Sequence, residues 1–102
     1  MAIGIIKVNM QPIKSTEDPY FKSIPAIVNG EWGVHLSIGH YGYTYACSVS
    51  HVPSGFAVIF NRDFIECKNI MEKLASNKKA IWNGEGKWSK EFKDTVKKIV
   101  YG

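Results

Sequence analysis

The stretch IPAIVNGEWGVHLSI, residues 24–38, decides the fold. Asn29-Gly30 stands between two apolar runs. That is a strong hairpin signal, because a type I′ turn needs positive φ at both central positions. Beyond it Trp32, Val34, Leu36 and Ile38 alternate with Glu31, Gly33, His35 and Ser37, the period of a strand with one face on a core. IPAIV at 24–28 is therefore one strand, and 31–38 is its antiparallel partner.

Working outward toward the N-terminus, IGIIKV at 3–8 reads as a further short strand. From Asn9 to Ser23 the pattern breaks into a loop marked by Pro12, Ser15, Thr16, Asp18 and Pro19, with Tyr20 and Phe21 as apolar anchors. In the other direction Gly39-His40-Tyr41-Gly42 reverses the chain into YTYACSVSH at 43–51. There Tyr43, Tyr45, Cys47, Val49 and His51 share one face, and Thr44, Ala46, Ser48 and Ser50 share the other. Val52-Pro53-Ser54-Gly55 fits a type I turn. FAVIF at 56–60 reads as a strand buried on both faces or nearly so.

The period changes after Asn61. Asp63 with Glu66 is a D-x-x-E helix start, and Phe64, Cys67, Ile70, Met71 and Leu74 then recur at helical spacing through Ala75. After a connection through Asn83-Gly84-Glu85-Gly86, Ser89 caps a second helix whose apolar side is Phe92, Val96, Ile99 and Val100. The expected fold is α+β: a four- to five-stranded antiparallel meander with two C-terminal helices packed on one face.

The 102 residues fit a single domain over 1–102, with ordinary globular values of 45% hydrophobic and 22% charged residues. No apolar run approaches the roughly 20 residues needed to cross a bilayer, so no membrane is expected. Cys47 and Cys67 are too few for a disulfide scaffold, and the N-terminus lacks a signal-peptide pattern. Together these place the chain in the cytoplasm. The net charge is +4. Residues 1–60 are neutral overall, and the excess lies in 78–98, where Lys78, Lys79, Lys87, Lys90, Lys93, Lys97 and Lys98 face Glu85, Glu91 and Asp94. Such a segment attracts phosphates or acidic surfaces, or simply keeps a helix face soluble.

Sites for chemistry are few. Cys47 and His51, four residues apart on a strand, lie roughly 13 Å apart and cannot chelate one metal. No motif orients a base beside either cysteine, and Ser54 in H-V-P-S-G is not a G-x-S-x-G elbow. The glycines match no phosphate-binding loop. No cofactor, metal or catalytic residue is expected, although a small enzyme built on Cys47 or His51 stands as a third reading. Tyr41, Tyr43 and Tyr45 alternate with small residues. They are either the large half of the core or, if the helices pack under Thr44–Ser50, an exposed stacking platform for nucleic-acid bases.

The segment Ser50-His51-Val52-Pro53-Ser54-Gly55, followed by FAVIF and then Asp63, Phe64 and Glu66, resembles a pattern in small uncharacterised proteins of phages and mobile elements. That resemblance implies a compact sheet-plus-helix fold and a phage or prophage origin. The element order is also similar to the single-strand-binding domain of a family of transcriptional coactivators, whose lysine-rich strand has no counterpart here. The leading expectation is a small accessory protein binding nucleic acid through Lys78, Lys79, Lys87, Lys90, Lys93, Lys97 and Lys98, with Tyr41, Tyr43 and Tyr45 as a second contact. The alternative is a protein-interaction or inhibitor module, acting on a host protein or associating with itself as a homodimer through its sheet.

Overall fold

A computed structural model describes residues 2–10, 20–39, 42–82 and 88–101. Five strands, β1 (Ala2–Met10), β2 (Tyr20–Asn29), β3 (Trp32–Gly39), β4 (Gly42–His51) and β5 (Ala57–Arg62), form one antiparallel sheet in the order β1-β2-β3-β4-β5. Two helices follow, α1 (Phe64–Ser76) and α2 (Lys90–Tyr101). The architecture is the α+β meander expected from the sequence. No described helix is long and apolar enough to cross a membrane.

Three local readings change. The β1–β2 ribbon runs further than its apolar cores, from Ala2↔Val28 to Met10↔Tyr20. Polar Asn9, Lys22 and Ser23 masked that extension, since strand pairing runs through backbone groups rather than side-chain polarity. The remaining expected loop, 11–19, lies outside the described residues. Next, the β2–β3 turn sits one residue later than Asn29-Gly30. Asn29 pairs with Trp32, so Gly30 and Glu31 are the two loop residues. Gly30 has φ 61 while Glu31 does not enter the left-handed region, which is the II′ pattern, with glycine at the first central position.

Lastly, β5 is not buried on both faces. It is the outer strand of the sheet, and Phe56 and Phe60 are exposed. A register shift between Val49↔Ile59 and Ser50↔Ala57 turns both Ile59 and Val58 toward the helix-side core.

The two faces of β3–β4 are covered by different things. On one side Trp32, Val34, Cys47 and Val49 meet Cys67, Ile70, Met71 and Leu74 of α1 and Phe92 and Val96 of α2. The helices therefore lie on the Cys47–Val49–His51 face, not under Ala46, Ser48 and Ser50. On the other side the β1–β2 ribbon leaves the sheet plane. Only Ile27, Val28 and Asn29 of β2 pair with β3. Beyond them the ribbon curls back, and the Cβ position of Gly33 lies 3.4 Å from Ile6 Cδ1. In a flat sheet residues two strands apart stand about 9–10 Å apart, so this approach records the curl. A Cβ at Gly33 would sit in ordinary van der Waals contact with Ile6, Ala26 and Val52, so the ribbon packs directly on the Gly33 backbone.

α1 begins where the sequence places it. Asp63 Oδ1 accepts from Ile65 N–H at 2.8 Å and from Glu66 N–H at 3.2 Å. Glu66 does not return the capping bond. It pairs with Arg62 at 3.2 Å in an exposed contact. Asn61, with φ 54, turns β5 into the helix, a conformation asparagine tolerates, and its N–H reaches Ser37 Oγ at 3.1 Å.

Candidate functional site

The six described lysines of the 78–98 segment are all exposed, and none takes part in the two ion pairs among the described residues. They do not form one patch. Lys78 and Lys79 sit in the turn after α1. On α2, residues three, four and seven apart share a face. Lys90, Lys93 and Lys97 therefore make one row, which Tyr101 continues. Lys98 lies on the opposite flank, where with Lys73, Ser76, Asn77 and Ile99 it lines a cleft of about 430 Å³. Lys87 lies outside the described residues.

The Lys93–Lys97 row borders a second cleft, of about 280 Å³. Its walls are Ala57 and Val58 of β5 and Trp88, Val96, Val100 and Tyr101 around α2. Tyr101 is 73% exposed. α2 owes its place to amphipathy: Phe92 and Val96 are buried, Ser89 Oγ accepts from Phe92 N–H at 3.2 Å, and the lysines stay in water. The result is an apolar, aromatic-walled slot with ammonium groups on its rim.

Of the expected tyrosines, Tyr41 lies outside the described residues. Tyr43 pairs with Ile38 across β3–β4, beyond a register shift at Leu36/Ile38, and Tyr45 lies two residues further along β4. The described part of that strand face, Cys47, Val49 and His51, is buried under the helices.

A second constellation surrounds His51, whose side chain is wholly enclosed. Glu31 Oε1 lies 2.9 Å from Nε2, and Ser54 Oγ lies 2.7 Å from Nδ1. A carboxylate only accepts, so Nε2 carries the proton, and Nδ1 then accepts from the serine hydroxyl. Burial pushes the imidazole pKa below its ordinary value, with Glu31 opposing the shift. All three tryptophans of the chain converge here. Ring centroids stand 4.9 Å (Trp32), 5.5 Å (Trp82) and 5.5 Å (Trp88) from His51, with Phe92 at 5.4 Å. The indole N–H groups of Trp82 and Trp88 are buried without an acceptor, so those rings serve by packing.

Serine, histidine and carboxylate in series have the connectivity of a nucleophile relay. The geometry assigns them different work. Ser54 is three residues from His51 in the same turn, and none of the described clefts is lined by it. Glu31 also accepts from Trp82 N–H at 3.1 Å, and its carbonyl accepts from Val52 N–H at 2.7 Å. The group ties the β2–β3 turn, the β4–β5 turn and the segment after α1 to one another. The sequence pattern puts Glu31 on the polar face of the second strand, whereas it sits in the turn before β3, and the distant partners that give it meaning leave no local signal.

The cysteines are free and buried. Burial pushes the Cys67 thiol up to about 11, with neighbouring Cys47 adding to the shift, and burial likewise raises Cys47. Both are held as thiols, the unreactive form. Among the described residues no three His, Cys, Asp or Glu side chains are placed to hold a metal ion. No family model matches the chain, and neither a curated protein nor a solved structure matches it. The functional reading rests on the side chains themselves.

Proposed function

We propose that the protein binds single-stranded nucleic acid along the β5-facing flank of α2. The observation that carries this reading is the slot between Lys93, Lys97, Trp88 and Tyr101. Ammonium groups one helical turn apart suit successive phosphates, and an apolar slot with an exposed phenol ring suits an unstacked base. Stacking on an aromatic side chain contributes about 1–3 kcal/mol per base and does not depend on sequence. Lysines act as point charges rather than bidentate forks, so the binding is of low sequence selectivity. Arg62, the only arginine, is engaged with Glu66.

Fluorescence anisotropy with a labelled single-stranded oligonucleotide tests this. Phosphate contacts by Lys90, Lys93 and Lys97 of the row predict a slope of about −2 in log K against log salt. Lys93→Glu with Lys97→Glu lowers affinity at low salt by at least tenfold and flattens that slope. Tyr101→Ala lowers affinity while leaving the slope in place. Absence of binding at low salt, or a double variant that binds like the parent, overturns the reading.

A further inference from the structure

We propose that two copies of the chain associate by antiparallel pairing of β1 with β1 of the second copy, about a two-fold axis at Gly4. The proposal does not rest on nucleic-acid binding. Among the described residues β1 is the edge of the sheet, bonded to β2 on one side only. It carries no proline, and Lys7 is the single charge that blunts the edge. Two of its outward side chains are large and apolar, Ile3 at 85% exposed and Ile5 at 70%.

The direction of the free backbone groups follows from the turn. In a two-residue hairpin the flanking residues, here Asn29 and Trp32, form the hydrogen-bonded pair. Asn29 therefore points its N–H and C=O toward β3, and by alternation so does Ile27, while Pro25 points its C=O the same way. Their partners across β1–β2, Ile3 and Ile5, must then point theirs away from β2. Pro25 opposite Ile5 agrees, since it has no N–H to give to β1. Ile3, Ile5 and Lys7 thus present a row of open donors and acceptors along the edge.

Gly4 selects the register. A Cβ at Gly4 would meet nothing within 4 Å, and its backbone is not in the left-handed region, so nothing in its own chain requires glycine. A glycine inside a strand marks a bulge, a tight bend or the close approach of another backbone, and the last suits an edge position with open space beside it. With the axis at Gly4, Ile3 stands opposite Ile5 of the second copy and Ile5 opposite Ile3, both as hydrogen-bonded pairs. The two glycines meet at the close, non-bonded position between them. The axis at Gly4 keeps the two Lys7 side chains at opposite ends of the paired stretch, so they do not oppose one another. The four isoleucines form one apolar strip, continuous on each side with the cleft that Ile27, Leu36 and Phe64 line beside Ile3. The basic α2 helices, packed beside β5 at the far edge, stay at the outer ends of the pair. A contact of this kind is isologous and closes on itself, as two-fold dimers do.

Sedimentation velocity on the full chain across the micromolar range tests the proposal. The expected result is a concentration-dependent species of twice the 11.5 kDa chain mass. Ile5→Lys raises the dissociation constant at least tenfold while circular dichroism shows the fold retained, because that side chain lies at the surface. As an independent readout of register, Gly4→Cys forms a covalent dimer on mild oxidation, the opposed positions being within disulfide reach, whereas Lys7→Cys does not. A monomer at every concentration overturns the proposal. So does a dimer that Ile5→Lys leaves untouched, or one in which Lys7→Cys cross-links as readily as Gly4→Cys.

Discussion

The two faces of the β3–β4 pair bury a histidine each, and they do it by opposite means. On the helix face His51 lies among Trp32, Trp82, Trp88 and Phe92, with its polar atoms answered by Glu31 and Ser54. On the ribbon face His35 lies among serines. Its Nδ1–H donates to the Leu36 carbonyl at 2.8 Å, and its Nε2 accepts from Ser50 Oγ at 2.7 Å. Ser37 and Ser48 bond to each other beside it at 2.6 Å. The first face is held by ring packing and a carboxylate that reaches three segments. The second is a short polar ladder roofed by Ile6, Val8, Ile24 and Ala26. Wide aromatic surface needs the thick cover of helices, whereas small polar side chains leave room for only a two-stranded ribbon.

The largest effect that sharpens this contrast is at Trp32. It packs on His51 and stacks on Phe92 at 5.9 Å, and it is almost fully buried. Trp32→Ala should cost about 3–5 kcal/mol in urea unfolding, the range for deleting a buried aromatic ring. A loss under 1 kcal/mol would show that the helix face does not dominate stability.

Next in size is Glu31→Ala. It leaves His51 Nε2–H and Trp82 N–H without acceptors, for a cost of about 1–3 kcal/mol. Ser50→Ala, which removes one neutral partner on the ribbon face, should cost less. The reverse ranking would break the comparison.

The smallest effect is on acid stability. Burial lowers the pKa of both His35 and His51 in the folded state. The unfolded chain therefore takes up protons near pH 6.5 that the folded chain refuses. The stability these two rings support is full above that pH and falls as pH drops below it. Each ring contributes at most about 1.4 kcal/mol per pH unit. Unfolding titrations at pH 7.5 and 5.0 should show the decline, and His35→Gln and His51→Gln should each flatten it. Equal stability at both pH values in the parent protein would mean that the rings are accommodated as cations.

Alternation and turn chemistry made the meander and both helices legible, because those are signals within about ten residues. Asp63 and Ser89 were readable as caps for the same reason, and both act as caps. What the sequence hid depends on distance. The curl of the β1–β2 ribbon, Gly33 under Ile6, and the meeting of three tryptophans at His51 join parts of the chain that no local pattern relates. The lysine segment shows the other limit. Its composition was plain, but only helix phase separates Lys90, Lys93 and Lys97 from Lys98, and composition alone carries no phase.

The meander order also bears on how the chain reaches this state. Every strand pairs with its neighbour in sequence, so the sheet can grow hairpin by hairpin with short loop closures, the arrangement that favours rapid folding. The bond from Trp82 to Glu31 closes a separation of 51 residues, and it forms only once both turns are in place. Chain entropy thus sets a sequence of events, in which hairpins come early and the aromatic enclosure of His51 comes late.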